Sequence, residues 1–143
     1  MKISQLSVFL ENRKGRLYEV CELLGQGGIN IRALNIAETT DFGILRIVVD
    51  QPEAALRLLR EHHFVANATD IVAVQVSDRP GGLAAVLRVL SQHDINVEYM
   101  YAFAEKKSDQ ALVVFRFEDP EQAIRVLTEN HIAIARQTDL LGA

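Results

Sequence analysis

The stretch ENRKGRL (Glu11–Leu17) returns 66 residues later in the chain as SDRPGGL (Ser77–Leu83), and these two occurrences decide the fold. Other residues of the first half also match residues 66 positions later, and further along the chain the offset becomes 68 positions. The matching residues occur in the same order in both halves. Such recurrence at a fixed period is typical of a duplicated structural unit. We therefore expect two domains, residues 1–69 and 70–143.

Each copy carries the same succession of hydrophobic patterns. Apolar residues alternate over residues 2–10, with Gln5 on the opposite face, and again over Val72–Val76, which predicts a strand with one face in the core. Apolar residues at i, i+3, i+4 and i+7 from Leu17 and from Leu83 predict an amphipathic helix with one buried stripe. The order β-α-β-β-α-β, present twice, predicts an α+β fold of two tandem ferredoxin-like domains, with antiparallel sheets and helices on one face.

Polar and proline signals mark further boundaries. Pro52 is placed for a helix start, and a polar turn is expected at Thr39–Asp41. The two extra residues of the second copy are expected in a hairpin loop within Glu105–Gln110. The last strands of the two copies are predicted at Phe64–Thr69 and Ile132–Thr138.

The central strands are apolar on both faces. Ile44 and Val48 face one way, Leu45 and Ile47 face the other, and the second copy repeats this pattern. A helix-free face this apolar is not expected to stay in water. We therefore expect it to pack against the other copy or a second chain, and we expect the protein to be a homodimer.

Composition excludes several classes of protein. Among 143 residues, 15 Lys and Arg against 19 Asp and Glu give a net charge of −4, without a basic patch of the kind that binds nucleic acid. No apolar run is long enough to span a bilayer, and the N-terminus lacks a signal-peptide pattern. One cysteine forms no internal disulfide, and no Cys/His spacing resembles a zinc site. We expect a cytoplasmic globular protein without metal or cofactor.

The turn between the first strand and the first helix is the most informative candidate site. Gly15, like Gly81 in the second copy, lets the backbone turn tightly and approach a ligand. The following helix offers unpaired N–H groups and the positive end of its dipole, which suits a carboxylate. The amide of Asn12 both donates and accepts, and so matches an α-amino and an α-carboxylate group together. Asn30 opens the next strand, and we expect its amide to face the same neighbourhood.

ENRKGRL followed by GINI (Gly28–Ile31) resembles the ENRxGxL…xNI pattern of the ACT domain family, small regulatory modules that bind amino acids. The resemblance covers both copies and implies a free-standing tandem ACT protein, with the ligand held at an interface between two domains. It also implies a set of ligand-binding residues in each copy. These are Asn12, Arg13, Lys14, Gly15, Arg16, Leu17, Asn30 and Ile31 in the first copy, and Asp78, Gly81, Gly82, Leu83, Asn96 and Val97 in the second.

Two departures from the family pattern bear on the site. Lys14 stands where the family usually has proline, and Asp78 stands where an asparagine-like group is expected. An ionised aspartate only accepts hydrogen bonds, so it suits an ammonium group and repels a carboxylate. We therefore expect the two loops to bind unequally. An alternative is that Asn12 and Asp78 are plain helix N-caps and the loop glycines are turn residues.

Other residues have a structural interpretation beside a functional one. Cys21 lies on an apolar stripe, which favours a small core residue over a nucleophile. His63 and His131 recur at the ends of the second helices, where capping of the last carbonyls by the ring is favoured over metal binding. The aromatic residues at alternate positions of Tyr99–Phe103 suit interface packing or the wall of a ligand pocket.

No enzyme motif is present in the sequence. No Ser, Cys or His lies in a recognised nucleophile pattern, and no two carboxylates share a loop in an acid–base arrangement. The sequence therefore predicts a non-catalytic sensor that binds a small amino acid and acts in trans on a partner protein. The alternative is a protein-interaction module that keeps the fold without the ligand.

Overall fold

Two units, each with its own hydrophobic core, make up the chain. The computed structural model describes residues 1–38, 41–103 and 109–137. Ser4–Thr69 is named here the N-terminal unit, and Asp70–Ala143 together with Met1–Ile3 is named the C-terminal unit. The turn and the hairpin loop predicted from the sequence, at Thr39–Asp41 and Glu105–Gln110, lie largely outside the described residues.

The N-terminal unit follows the order β-α-β-β-α-β. Its elements are β1 (Ile3–Glu11), α1 (Arg16–Gln26), β2 (Ile31–Glu38), β3 (Phe42–Val49), α2 (Pro52–Glu61) and the first residues of β4 (Val65–Ser77). The strands lie in the order β2-β3-β1-β4, and β3 pairs antiparallel with β1 and with β2. The strand predicted to end at Thr69 continues to Ser77 without a break.

The C-terminal unit repeats the arrangement. Its elements are the last residues of β4, α3 (Gly82–Gln92), β5 (Val97–Ala102), β6 (Gln110–Phe117), α4 (Pro120–Glu129) and β7 (Ile134–Ala135). β4 pairs antiparallel with β6 and with β7, and β6 pairs antiparallel with β5. The predicted α+β fold, with two copies of a ferredoxin-like unit, is confirmed.

Each core lies between the sheet and the helices of the same unit. In the N-terminal unit, alternate residues of β1 and β3 pack against α1 and α2 and are buried. The buried residues include Leu6, Val8, Leu10, Val20, Leu24, Leu45, Ile47, Ala55 and Leu59. The C-terminal core uses the equivalent positions, among them Val72, Val74, Val86, Leu90, Phe115 and Leu127. The alternation read from the sequence therefore gives the correct core face in both copies.

Three side chains depart from the predicted pattern. Gln5 is predicted on the face opposite the core, but it is fully buried, with its Nε2 3.4 Å from the Ser7 hydroxyl. A hydrogen-bonded amide tolerates burial, so polarity alone is a poor guide there. Leu17 and its counterpart Leu83 are predicted on the buried stripe, but they are 42% and 36% exposed. Each lies in the first turn of its helix, beside the loop.

Helices α1 to α4 end in the same backbone motif. Gly28, His63, Asp94 and His131 all have positive φ, between 55° and 73°. The N–H of the next residue then donates to the carbonyl five positions back, as from Phe64 to Leu59, which is a Schellman motif. The expectation that the imidazole rings of His63 and His131 cap these helices is therefore wrong, because the backbone closes the helix ends.

The same motif explains why β7 is shorter than predicted. The predicted strand ran from Ile132 to Thr138, but the N–H of Ile132 donates to the carbonyl of Leu127 in α4, 2.9 Å away. The chain therefore first bonds to β4 at Ala133, whose carbonyl accepts from the N–H of Gln75 at 2.9 Å, and β7 itself begins at Ile134. Thr138 lies outside the described residues.

Replacement of Gly82, the first residue of α3, with alanine should destabilise the protein. A Cβ on Gly82 would collide with the backbone carbonyl of Ser77, so the backbone has to shift. We expect the free energy of unfolding, measured by chemical denaturation, to fall by about 2–3 kcal/mol. Gly25→Ala is the matched control in α1, where a Cβ meets no atom within 4 Å. It should raise that free energy by about 0.5–1 kcal/mol, and equal effects of the two changes would contradict the packing described.

Cys21 should react slowly with alkylating agents in the folded protein. It lies half-buried on α1, and burial raises the pKa of its thiol, so less thiolate is present at a given pH. The rate of reaction with iodoacetamide at pH 8 should be several-fold lower in the folded protein than in guanidinium chloride. Equal rates would show that the thiol is neither shielded nor shifted.

Candidate functional site

The loop between β1 and α1 begins with a backbone bond to the next turn of the unit. The N–H of Asn12 donates to the carbonyl of Asp41, 2.8 Å away. The N–H of Arg16 then donates to Arg13 at 3.2 Å, which closes the turn before the helix. The second copy makes the same bonds, from Asp78 to Asp109 at 2.9 Å and from Gly82 to Arg79 at 2.9 Å. The two loops therefore share one backbone conformation.

A glycine with positive φ starts the helix in each loop. Gly15 has φ 89° and Gly81 has φ 85°, and each is the N-cap residue of its helix without a side-chain cap. Asn12 and Asp78 stand three residues earlier, so the interpretation of them as N-caps is wrong. In α1 the first bond of the helical pattern runs from Glu19 to Gly15. The N–H groups of Leu17 and Tyr18, in the first turn, thus have no helical acceptor and remain available to a ligand.

A cavity of about 170 Å³ lies at this loop in the N-terminal unit. The predicted site residues Asn12, Arg13, Arg16 and Leu17 line it, whereas Lys14 and Gly15 lie on the loop outside the lining. Four further lining residues were not predicted as site residues: Leu10, Glu11, Ile36 and Gly43. Leu10 directly precedes the motif and Glu11 is its first residue, which was a usable signal. The other two come from β2 and β3, and nothing in the sequence points to them.

Arg16 is the most constrained charged residue of the cavity. Its Nη1 donates to the Glu19 carboxylate at 2.7 Å, and its guanidinium carbon lies 4.5 Å from the centroid of the Phe64 ring. The Arg16 side chain is only 19% exposed, whereas that of Arg13 is 61% exposed and lies 3.8 Å from Glu11. The site therefore pairs one fixed cation with one solvated cation.

Asn30 and Ile31 lie at the opposite end of α1 from the loop. Eleven helical residues at about 1.5 Å each separate the two ends by roughly 16 Å. The backbone N–H of Asn30 donates to Oδ1 of Asp50 at 2.9 Å, near the start of α2. Within the N-terminal unit, the expectation that Asn30 faces the loop is therefore wrong, because the helix stands between them.

Asn96 and Val97 occupy the equivalent place in the C-terminal unit. They line a cavity of about 380 Å³ at the C-terminal end of α3, together with Leu87 and Asp94. The loop residues Asp78, Gly81, Gly82 and Leu83 lie at the other end of that helix. The two halves of the predicted second site are therefore also separated within one unit.

The second-copy loop differs from the first in its side chains. Gly82 stands at the position of Arg16, is buried, and leaves no room for a Cβ against Ser77. Asp78, at the position of Asn12, is exposed. The backbone is therefore repeated, but the cationic side chain at the first helical position is not.

The described residues hold no group of three or more His, Cys, Asp or Glu side chains placed to bind a metal ion. None of the described helices has the length and apolarity needed to cross a membrane. Of the aromatic face in β5, Tyr101 is buried and Tyr99 half-buried.

Comparison with known proteins agrees with this architecture. The family model described as an ACT domain pair matches residues 1–142. The crystal structure of protein BT0572 from Bacteroides thetaiotaomicron superposes on this chain with a TM-score of 0.94. The two sequences are 43% identical, and the alignment covers 100% of this chain and 98% of BT0572.

More distant structures share the fold. The regulatory subunit of aspartate kinase from Thermus thermophilus, in a ligand-free form, is 18% identical with a TM-score of 0.62, over 88% of this chain and 91% of its own. The regulatory subunit from Thermus flavus is 16% identical with a TM-score of 0.60, over 90% and 92% of the two chains. None of the curated proteins that were compared matches. The chain belongs to the family of ACT domain pairs.

Proposed function

We propose that the chain is a non-catalytic sensor that binds a small amino acid at the loop of its N-terminal unit. The observation that carries this proposal is the cavity at the start of α1, where unpaired helix N–H groups, Asn12 and a fixed arginine meet. A carboxylate is stabilised by the N–H groups and the helix dipole. The ammonium group finds acceptors in Asn12 and in the carboxylate of Glu11, which lines the same cavity.

The proposed sensor acts in trans, on a partner protein. ACT domains are regulatory modules, and the same fold serves as the regulatory subunit of aspartate kinase in two Thermus species. A ligand shifts a conformational equilibrium only by its differential affinity for the two states. The proposal therefore requires that the amino acid bind one arrangement of the domains or chains better than another. We place this protein in the cytoplasm, as a homodimer.

A second candidate function is a protein-interaction module without a small ligand. It is favoured by an exposed apolar cluster on the helix-free face of the N-terminal unit. Phe9 is 43% exposed, Phe42 is 45% exposed, and their ring centroids lie 4.9 Å apart. Ile44 on β3 lies on the same face and is also exposed. Such a cluster is typical of a contact surface.

Thermal unfolding in the presence of each common amino acid separates the two functions. A ligand at a hundred times its dissociation constant adds about 2.7 kcal/mol to the free energy of unfolding. For a chain of this size the midpoint should rise by about 2–4 °C per kcal/mol. A rise with one or two amino acids supports the sensor. No rise with any amino acid contradicts it and favours the interaction module.

The matched variants Gly15→Asp and Gly81→Asp locate the site. Both glycines have the same left-handed backbone conformation, so the two changes impose similar strain. Gly15→Asp should abolish the amino-acid-induced rise in melting temperature, because a side chain at φ 89° strains the turn before α1 and its negative charge at the helix start repels the ligand's carboxylate. Gly81→Asp should retain the rise. Far-UV circular dichroism should be near wild type for both, and normal binding by Gly15→Asp would exclude the first loop as the site.

A further inference from the structure

The two copies diverge most in chemistry at the first helical residue after the loop. Their loop backbones make equivalent hydrogen bonds, and both helices start from a left-handed glycine. The first copy then has Arg16, whereas the second has Gly82, which lies against the Ser77 carbonyl with no space for a side chain. The first loop therefore carries a partly buried cation at the start of its helix that the second loop lacks, which indicates that the two loops bind different groups.

The guanidinium of Arg16 has one satisfied nitrogen, Nη1, and one nitrogen, Nε, without a protein acceptor. Nη1 donates to Glu19 at 2.7 Å, and the Phe64 ring lies on one face of the guanidinium plane. Nε is buried without a hydrogen-bond partner, the only buried side-chain nitrogen or oxygen of which this holds in the described part of the chain. A buried donor without an acceptor is uncommon and calls for an explanation. The Nε–Nη2 edge has the spacing that binds both oxygens of one carboxylate.

The cavity beside Arg16 sets the size of what reaches this edge. Its volume of about 170 Å³ equals that of about five or six water molecules in the liquid, which is small for a ligand site. Leu10, Leu17 and Ile36 supply apolar lining, and the free N–H groups of the first turn of α1 lie at the same end of the helix. A small molecule with one carboxylate and a short side chain fits this combination.

We propose that Arg16 binds the ligand's carboxylate side-on through Nε and Nη2, and that binding is confined to the first copy, with one small carboxylate per chain. The proposal rests on the amino-acid-binding function proposed above. Nη1 keeps its bond to Glu19, whose half-exposed side chain is free to follow the guanidinium. Because Nε is shielded from solvent, the guanidinium turns from the Phe64 ring towards the cavity when the carboxylate binds.

Calorimetric titration of Arg16→Met and Arg16→Lys tests this role. The probes are the amino acid that raises the melting temperature of the wild type most and its carboxamide, which lacks the negative charge. We expect Arg16→Met to bind the amino acid roughly 10- to 100-fold more weakly, as for loss of hydrogen bonds to a charged group. Arg16→Lys should recover only part of this loss, because lysine makes no side-on pair. The wild type should bind the carboxamide as weakly as Arg16→Met binds the acid, with a stoichiometry of one acid per chain.

Arg57→Met is the matched control, because it removes the same charge from an exposed side chain of α2 that does not line the cavity. It should change the affinity by less than about 3-fold. Three results would overturn this proposal and leave the sensor function intact. They are an affinity of Arg16→Met within about 3-fold of wild type, equal affinity of the wild type for acid and carboxamide, and binding of two acids per chain. Failure of the wild type to bind any amino acid overturns both proposals. The carboxamide comparison uses unaltered protein, so equal affinity for the two probes overturns the role of Arg16 even if a variant fails to fold.

Discussion

The turn from strand into helix depends on one backbone constraint, the left-handed conformation of Gly15 and Gly81. Residues with a Cβ rarely adopt this backbone conformation, so glycine at this position allows the chain to reverse within a few residues. The reversal places the N-terminus of α1 beside the end of β1, with the Asn12 N–H bonded to Asp41. The helix can then pack Val20 and Leu24 onto the sheet, and the cavity forms between the helix start and the strands. Core and site therefore depend on the same turn.

The fold was predictable because its signals are local and occur twice. Alternation in β1 and the helical spacing through Val20 and Leu24 each specify a buried face, and duplication repeats the same order of elements. The recurrence of His63 and His131 correctly indicated the ends of the second helices, but the structural reason is not capping by the imidazole ring. Both residues hold the positive φ of a Schellman motif, which a sequence pattern does not distinguish from capping by the ring.

The site was only partly predictable, because a motif gives residues but not their separation in space. The loop at Asn12 and the segment at Asn30 are joined by α1, whose length of about 16 Å separates them within the unit. Gly43 lines the cavity through strand pairing, which no local pattern shows. The contrast between Arg16 and Gly82 is visible in the sequence, yet its meaning depends on the Ser77 carbonyl and on the unpartnered Nε. The two copies thus share the turn, and only the first carries a cationic side chain at the first helical position.

The most direct measurement for the central claim is the backbone amide spectrum of ¹⁵N-labelled protein during titration with the amino acid that raises its melting temperature. Leu17 and Tyr18 carry the amides assigned to the ligand's carboxylate, and Leu83 and Ala84 carry the equivalent amides of the second copy. The account predicts that the first pair shifts in a saturable way while the second pair stays near its free position. Saturable shifts at Leu83 and Ala84, with none at Leu17 and Tyr18, would contradict it.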